Sequence, residues 1–370
     1  MAAGRPPLRV LILIGQLGRG GAERQVHELA TRLPRDRFQP LVATFDSHGY
    51  YQPLLESEGV EVVVIDKTGW REATAPVSMA SLIRARGVGL VHAFLFPANW
   101  RAVVAGRLAG IRSVVCSVRS TGVWMNPRHR MMDRLALRRA AAVVANAPAV
   151  RDDVIRRVGV DPGLVRVIMN GVDTDVFHPA PGGNGGGSAE TQRGQRVGFV
   201  GSLREAKDPR LFLKVARRVA GRLPGARFTI VGDGPLRAVL ERDAGEGILA
   251  GRVEFLGERA DIPELLRTLD LLAVTSVREG CCNVILEAMA SGVPVAATAV
   301  GGNPDLISDR LDGTLFPHGD VEAGAEAVVA LLSDSGLARG VRAAGLARAR
   351  ERFSIAAMVS ATAALYESLA

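Results

Sequence analysis

The feature that most constrains this chain is a repeated alternation of short, wholly apolar runs with helical stretches. Residues 8–14, 41–45, 60–65, 90–94, 113–117 and 142–146 read as strands, and 22–33 reads as a helix with Glu23 in its first turn. A strand that is apolar throughout has both faces buried, so the pattern predicts an α/β fold: a parallel sheet covered by helices on both sides. The alternation then stops at residues 181–195, where glycine, proline and polar residues dominate and no core can form; a flexible linker is expected there. It restarts with strands at 196–200, 227–231, 253–256, 271–275 and 293–297 and a helix at 211–223. The expected division is a first domain at 1–180, a second at 196–352, and a C-terminal helix at 353–370. In that helix Ile355, Met358, Val359, Thr362, Leu365 and Tyr366 fall at helical spacing, suited to packing back on the first domain.

A length of 370 residues suits two such domains better than one. No apolar run approaches the ~18 residues of a membrane span. The apolar stretch at 8–15 has no small-residue cleavage site and leads into a Gly-rich turn, so it reads as a buried strand and not a signal peptide; a cytoplasmic location is expected. Three cysteines, Cys116, Cys281 and Cys282, imply no disulfide framework, and the scattered histidines show no metal-ligand spacing. The net charge of +8, carried almost wholly by arginine, favours anionic partners. Aromatic residues make up only 5%, and no nucleic-acid reader motif is present, so a nucleic-acid partner is not expected.

The chemistry concentrates at residues 279–287, which read Glu-Gly-Cys-Cys-Asn-Val-Ile-Leu-Glu. This segment follows a predicted parallel strand and opens a predicted helix at 283–290. The amides around Gly280, Cys281, Cys282 and Asn283 would then form a helix N-terminus at the carboxyl end of a strand, suited to an anion or sugar hydroxyls. Glu287, one turn into the helix, can accept hydrogen bonds from a vicinal diol such as a ribose, and Glu279 can contact a sugar. Near the N-terminus, Gly18, Gly20 and Gly21 form a turn that lets a ligand approach the backbone closely. Their spacing does not match the Gly-x-Gly-x-x-Gly dinucleotide fingerprint. His92 is predicted near a strand end, where cleft residues lie, and would orient an acceptor hydroxyl or a donor sugar.

Two glutamates, Glu279 and Glu287, separated by seven residues and followed by Ala288-Met289-Ala290-Ser291-Gly292-Val293-Pro294-Val295, resemble the signature of the family 4 glycosyltransferases. Gly18–Glu23, Asn170–Phe177, Val197–Leu203 with Lys207 and Asp208, and Val231–Leu236 resemble further family segments in the same order along nearly the whole chain. The resemblance implies a GT-B fold, with two Rossmann-like domains facing across a cleft, and a retaining, metal-independent transfer from a nucleoside-diphosphate sugar, used as a substrate and with no cofactor. It implies that Lys207 neutralises the departing diphosphate. The family's usual arginine just after the second glycine is Ser202 here, and Arg204 is the candidate replacement. The family often has a histidine after the strand at 113–117; this chain has Arg119, a candidate for an anionic acceptor or the leaving phosphate. The Asp173-Thr174-Asp175 sequence looks like a metal motif of another glycosyltransferase fold, a reading the parallel architecture around it opposes.

Arg128, Arg130, Arg134, Arg138 and Arg139 lie among Trp124, Met125, Met131, Met132, Leu135 and Leu137. Such a helix either packs its apolar side inward or rests on an anionic membrane. The expected activity is sugar transfer to a glycan or lipid-linked acceptor at the inner membrane face or in the cytoplasm. A sugar-nucleotide epimerase, a non-catalytic sugar-nucleotide sensor and a basic nucleic-acid-binding protein are the alternatives weighed against it.

Overall fold

The computed structural model describes residues 6–65, 71–121, 126–180 and 195–370. The glycine-rich segment up to Gly194, together with Trp124 and Met125, lies outside the described residues. The chain divides into two compact units, residues 1–171 with 355–370, and residues 172–354.

The first unit alternates β1 (Leu8–Ile14), α1 (Gly21–Arg32), β2 (Phe38–Thr44), α2 (Tyr51–Ser57), β3 (Glu61–Val64), α3 (Arg71–Ala85) and β4 (Leu90–Phe94). It continues with α4 (Phe96–Ala109), β5 (Val114–Val118), α5 (Pro127–Leu137), β6 (Ala142–Ala145), α6 (Pro148–Val158) and β7 (Val165–Val167). The strands form one parallel sheet ordered β3-β2-β1-β4-β5-β6-β7. β1, β4, β5 and β6 are buried almost throughout, which is why they read as continuous apolar runs. β7 has no such run: two of its three residues are exposed, and it closes the sheet at an edge.

The second unit runs β8 (Arg196–Val200), α7 (Pro209–Arg222), β9 (Arg227–Val231), α8 (Arg237–Ala244), β10 (Val253–Gly257), α9 (Ile262–Arg267) and β11 (Leu271–Val274). It ends with α10 (Asn283–Ala290), β12 (Val295–Thr298), α11 (Asn303–Leu306), β13 (Thr314–Phe316), α12 (Val321–Ser333) and α13 (Ser335–Arg352). Its parallel sheet is ordered β10-β9-β8-β11-β12-β13. Residues 172–180, expected with the first domain, belong to this unit. Val172 donates its N–H to the Phe353 carbonyl at 2.8 Å, Phe177 is fully buried, and the Pro179 ring packs beside Gly292.

The last helix, α14 (Ile355–Leu369), is part of the first unit. Its Ile355, Met358, Val359, Ala363, Leu365 and Tyr366 join the core formed by Val10, Ile12, Leu90 and Val115. Gly171 lies so close to the backbone of Ile355 that a Cβ there would fall 2.7 Å from the Ile355 Cα. Gln25 fixes the same point with two hydrogen bonds, Nε2 to the Gly171 carbonyl at 2.8 Å and Oε1 from its N–H at 2.9 Å.

Tyr366 reaches the middle of β4, where its hydroxyl lies 2.7 Å from His92 Nδ1, while Nε2 lies 2.8 Å from Ser117 Oγ. Burial, helped by the Arg119 charge, lowers the His92 pKa from 6.5 to about 3. The folded chain therefore binds fewer protons than the unfolded chain between those values, and stability is lost as pH falls through that window. One such site contributes up to about 1.4 kcal/mol per pH unit. His92→Gln should therefore lose less stability than the parent between about pH 7 and about pH 5, read from denaturant midpoints; equal losses would refute a buried neutral His92.

Candidate active site

In the second unit the chain leaves β8 toward β9 and leaves β11 in the opposite direction, toward β12. The loops after β8 and β11 therefore diverge from a shared crevice at the carboxyl ends of neighbouring parallel strands, the usual ligand position in such sheets. The first loop carries Gly201 to Asp208 and the second Thr275 to Cys282.

The two loops are laced together. The Val277 N–H donates to the Ala206 carbonyl at 3.0 Å, and Thr275 Oγ1 donates to the carbonyls of Lys207 at 3.2 Å and Asp208 at 2.9 Å. Asp208 has φ of 41°, a left-handed conformation that aspartate tolerates better than most residues. Its Oδ1 caps α7 by accepting from the Leu211 N–H at 3.0 Å, Pro209 follows as the first helical residue, and Oδ2 lies 3.0 Å from His318 Nε2.

This turn points Lys207 at the second loop. Lys207 Nζ lies 2.5 Å from Glu279 Oε1, which also accepts from Ser276 Oγ at 2.6 Å. Burial alone would push the lysine pKa down; the Glu279 charge and the hydrogen bond to it outweigh burial and hold the pKa above its usual value. Lys207 is thus a fixed, fully protonated cation. Both bonds land on one oxygen of Glu279, so its Oε2 remains for another donor. Gly280, Cys281 and Cys282 are buried, and burial raises the Cys282 thiol well above the ordinary thiol range. Cys282 caps α10, and Asn283 begins it. Glu287 is buried on the next turn of that helix.

Sequence reasoning found Lys207, Glu279, the helix start and Glu287 but missed three supports: Ser276, Thr275 and Gly301. Gly301 has φ of 53°, and a Cβ there would fall 2.0 Å from the Glu279 carbonyl oxygen; its neighbour Gly302 donates to the same carbonyl at 3.3 Å. The only sequence signal was a glycine pair separated by three residues from the end of a predicted strand. Arg204 is exposed and shows no side-chain hydrogen bond or ion pair among the described residues.

The other predicted residues belong to the first unit. Gly20 caps α1, and a Cβ on it would fall 2.0 Å from Glu23 Oε2, so a side chain there would displace the folded-back Glu23 carboxylate; Gly21 begins the helix and is exposed. His92 differs from expectation. It sits inside β4 and not at its end, only 2% exposed, with both ring nitrogens engaged, so its contacts are structural. Arg119 lies just past β5, stacks over Phe94 and donates to Asn170 Oδ1. Asp173 closes a turn, accepting from the Asp175 N–H at 3.0 Å. Among the described residues no group of three His, Cys, Asp or Glu side chains could hold a metal ion.

A model of the Glycosyltransferase Family 4 domain matches residues 19–176, and a model of the Glycosyl transferases group 1 domain matches 194–334. This chain is a family 4 glycosyltransferase. The enzyme has the GT-B fold, with a parallel sheet in each unit. It is 29% identical over 272 residues to an Escherichia coli UDP-Gal:alpha-D-GlcNAc-diphosphoundecaprenol alpha-1,3-galactosyltransferase, covering 70% of each chain. It is 31% identical over 309 residues to a Salinispora tropica D-inositol 3-phosphate glycosyltransferase, covering 75% of this chain and 63% of that one. Anabaena HepE, solved with UDP and with UDP-glucose, superimposes with TM-scores of 0.87 and 0.86 at 25% identity, over 98% of this chain and all of HepE.

The close approach of Gly301 makes a specific prediction for this glycosyltransferase. Gly301→Ala forces the Glu279 loop to move, and displacing a reacting group by ~1 Å can cost on the order of a hundredfold in rate. The expected result is a loss of at least about tenfold in kcat/KM with a normal far-ultraviolet spectrum; parental activity would show that the loop yields without consequence.

Proposed function

We propose that this glycosyltransferase moves a sugar from a UDP-sugar to a glycan or lipid-linked acceptor, with retention at the anomeric carbon and without a bound metal. The observation that carries the reading is the Lys207–Glu279 pair at the β8/β11 crevice, beside the start of α10. The HepE complexes with UDP and UDP-glucose support a UDP-sugar donor. The E. coli relative, whose acceptor is a diphosphoundecaprenol-linked sugar, supports a lipid-linked acceptor.

Glu287 accepts the ribose hydroxyls. Glu279 Oε2 and the amides of Gly280 to Asn283 receive the sugar, and Lys207 faces the diphosphate. Transfer breaks the bond between the anomeric carbon and the diphosphate oxygen and forms one to the acceptor oxygen. The acceptor proton passes to the leaving phosphate on the same face, which keeps the configuration. Lys207 supplies its charge without rearrangement, because Glu279 and Ser276 already hold that corner of the site in place. A contact with an anionic membrane would bring a lipid-linked acceptor within reach.

Lys207→Ala should lower turnover by about 10²–10³ while weakening UDP binding much less, since the charge acts where the leaving group develops. Arg204→Ala is the comparison. Its exposed, unpaired side chain predicts near-parental turnover, and impairment equal to that of Lys207→Ala would assign the missing family arginine's task to Arg204. Steady-state transfer or donor hydrolysis measures both, and parental turnover in Lys207→Ala would defeat the assignment.

Metal independence has a separate test. Donor hydrolysis, screened over UDP-sugars, should persist after treatment with EDTA. Complete loss restored by Mg²⁺ or Mn²⁺ would overturn the metal-free route.

A further inference from the structure

The charge of the first unit is distributed very unevenly. Between Glu72 and Asp152 the chain has a single acidic residue, Asp133. Asp133 is 1% exposed and faces inward, with Oδ2 3.5 Å from Arg157 Nη1 of α6; burial pushes its carboxyl up to about 6. It contributes no negative surface.

α4 and α5 pack side by side on one face of the sheet, both inside a single core cluster through Ala102, Val103, Ala136 and Leu137. Their outward faces are therefore neighbours. On α5, Arg128, Arg130 and Arg134 are exposed, and none makes an ion pair among the described residues. Met131 and Leu135, four residues apart on the same stripe, are 57% and 46% exposed. On α4, Val104 and Leu108 repeat that spacing, 40% and 47% exposed, with Arg107 between them. The Arg84 guanidinium of α3 donates to the Leu108 carbonyl, adding another cation at the border.

From this surface we infer that the α4–α5 face docks on an anionic phospholipid membrane. Arginines alone would suit any polyanion. The four exposed aliphatic side chains set among them favour an interface with an apolar layer beneath the charges, because they gain nothing from a soluble polyanion. A second copy of the chain is disfavoured, since the face would meet its own positive charge. Among the described residues no helix is long and apolar enough to cross a membrane, so contact through this face is peripheral. The inference stands apart from the donor-site reading, as none of these side chains belongs to the β8/β11 crevice.

The test is co-sedimentation of the full chain with phosphatidylcholine vesicles, with and without phosphatidylglycerol. Binding should require the anionic lipid and weaken as salt rises. Arg128→Ala, Arg130→Ala and Arg134→Ala together should reduce binding roughly a hundredfold, about fivefold per arginine. Met131→Ser with Leu135→Ser should reduce it several-fold with the arginines intact. These substitutions are exposed and should leave the melting temperature near the parental value; should the triple variant melt early, single charge reversals at Arg128 and Arg134 carry the same test. Equal binding to neutral vesicles, or unchanged binding by the arginine variants, would overturn the proposal. Loss with the arginine variants but none with the serine variant would also overturn it, marking the face as a site for soluble polyanions such as nucleic acid. UDP titration of the parent and every variant runs in parallel: failure of the parent to bind UDP would count against the donor reading alone.

Discussion

Where the strand order of the second sheet reverses, at β8 and β11, two loops leave in opposite directions and must share one crevice. The rest of the site depends on that reversal. It brings Lys207 to Glu279 across 72 residues of sequence, and it lets Thr275 and Val277 hold the backbone of the opposite loop. Neither loop has regular structure of its own beyond a single 3₁₀ turn at Glu205–Lys207. Their shape is set by each other and by the glycine pair at Gly301 and Gly302, which presses on Glu279 from the β12 side.

The ion pair formed there is asymmetric. One oxygen of Glu279 holds both Lys207 and Ser276, so the carboxylate cannot swing without breaking two bonds. Removing Glu279 would leave a half-buried ammonium without its counter-charge, and removing Lys207 would leave a nearly buried carboxylate with only a neutral hydroxyl. Breaking one side of such a pair is costlier than the pair's net worth, which is why single substitutions at this corner affect more than the contact they delete. A ligand arriving at the free oxygen meets a group whose position is already fixed, and little ordering is left for binding to supply.

The parts of the fold legible in the sequence are those where one local pattern decides the outcome. β8, β9 and α10 have the boundaries expected from their residues, because a buried strand interior demands apolar residues and the helix start follows closely on a strand. β7 and β13 were not visible: three residues at a sheet edge need neither length nor hydrophobicity. His92 was misplaced because a polar residue in an apolar run looks like a strand end. Here it is mid-strand, and Tyr366, 274 residues away, supplies the partner that makes burial tolerable. The same reason hid Gly301 and Ser276. Their roles rest on what they touch, and no periodicity records a contact with Glu279.

Backbone strain marks the reversal point of both sheets. In the first unit, Leu95 directly follows β4 with φ of 72°, unusual for a bulky side chain; in the second, Asp208 lies in the loop after β8 with φ of 41°. Such conformations cost on the order of 1–3 kcal/mol each and persist only where neighbours over-determine them. At Leu95 the restraint is backbone: its N–H donates to the Ser117 carbonyl at 3.1 Å, and its own carbonyl accepts from Asn99 at 3.0 Å. At Asp208 it comes largely from side chains, with Thr275 on the carbonyl and His318 on the carboxylate. The difference matters for Lys207, the residue just before. Its direction is set by a turn that Thr275 and His318 hold, so the placement of the cation depends on residues at the ends of β11 and β13 that never approach its charge.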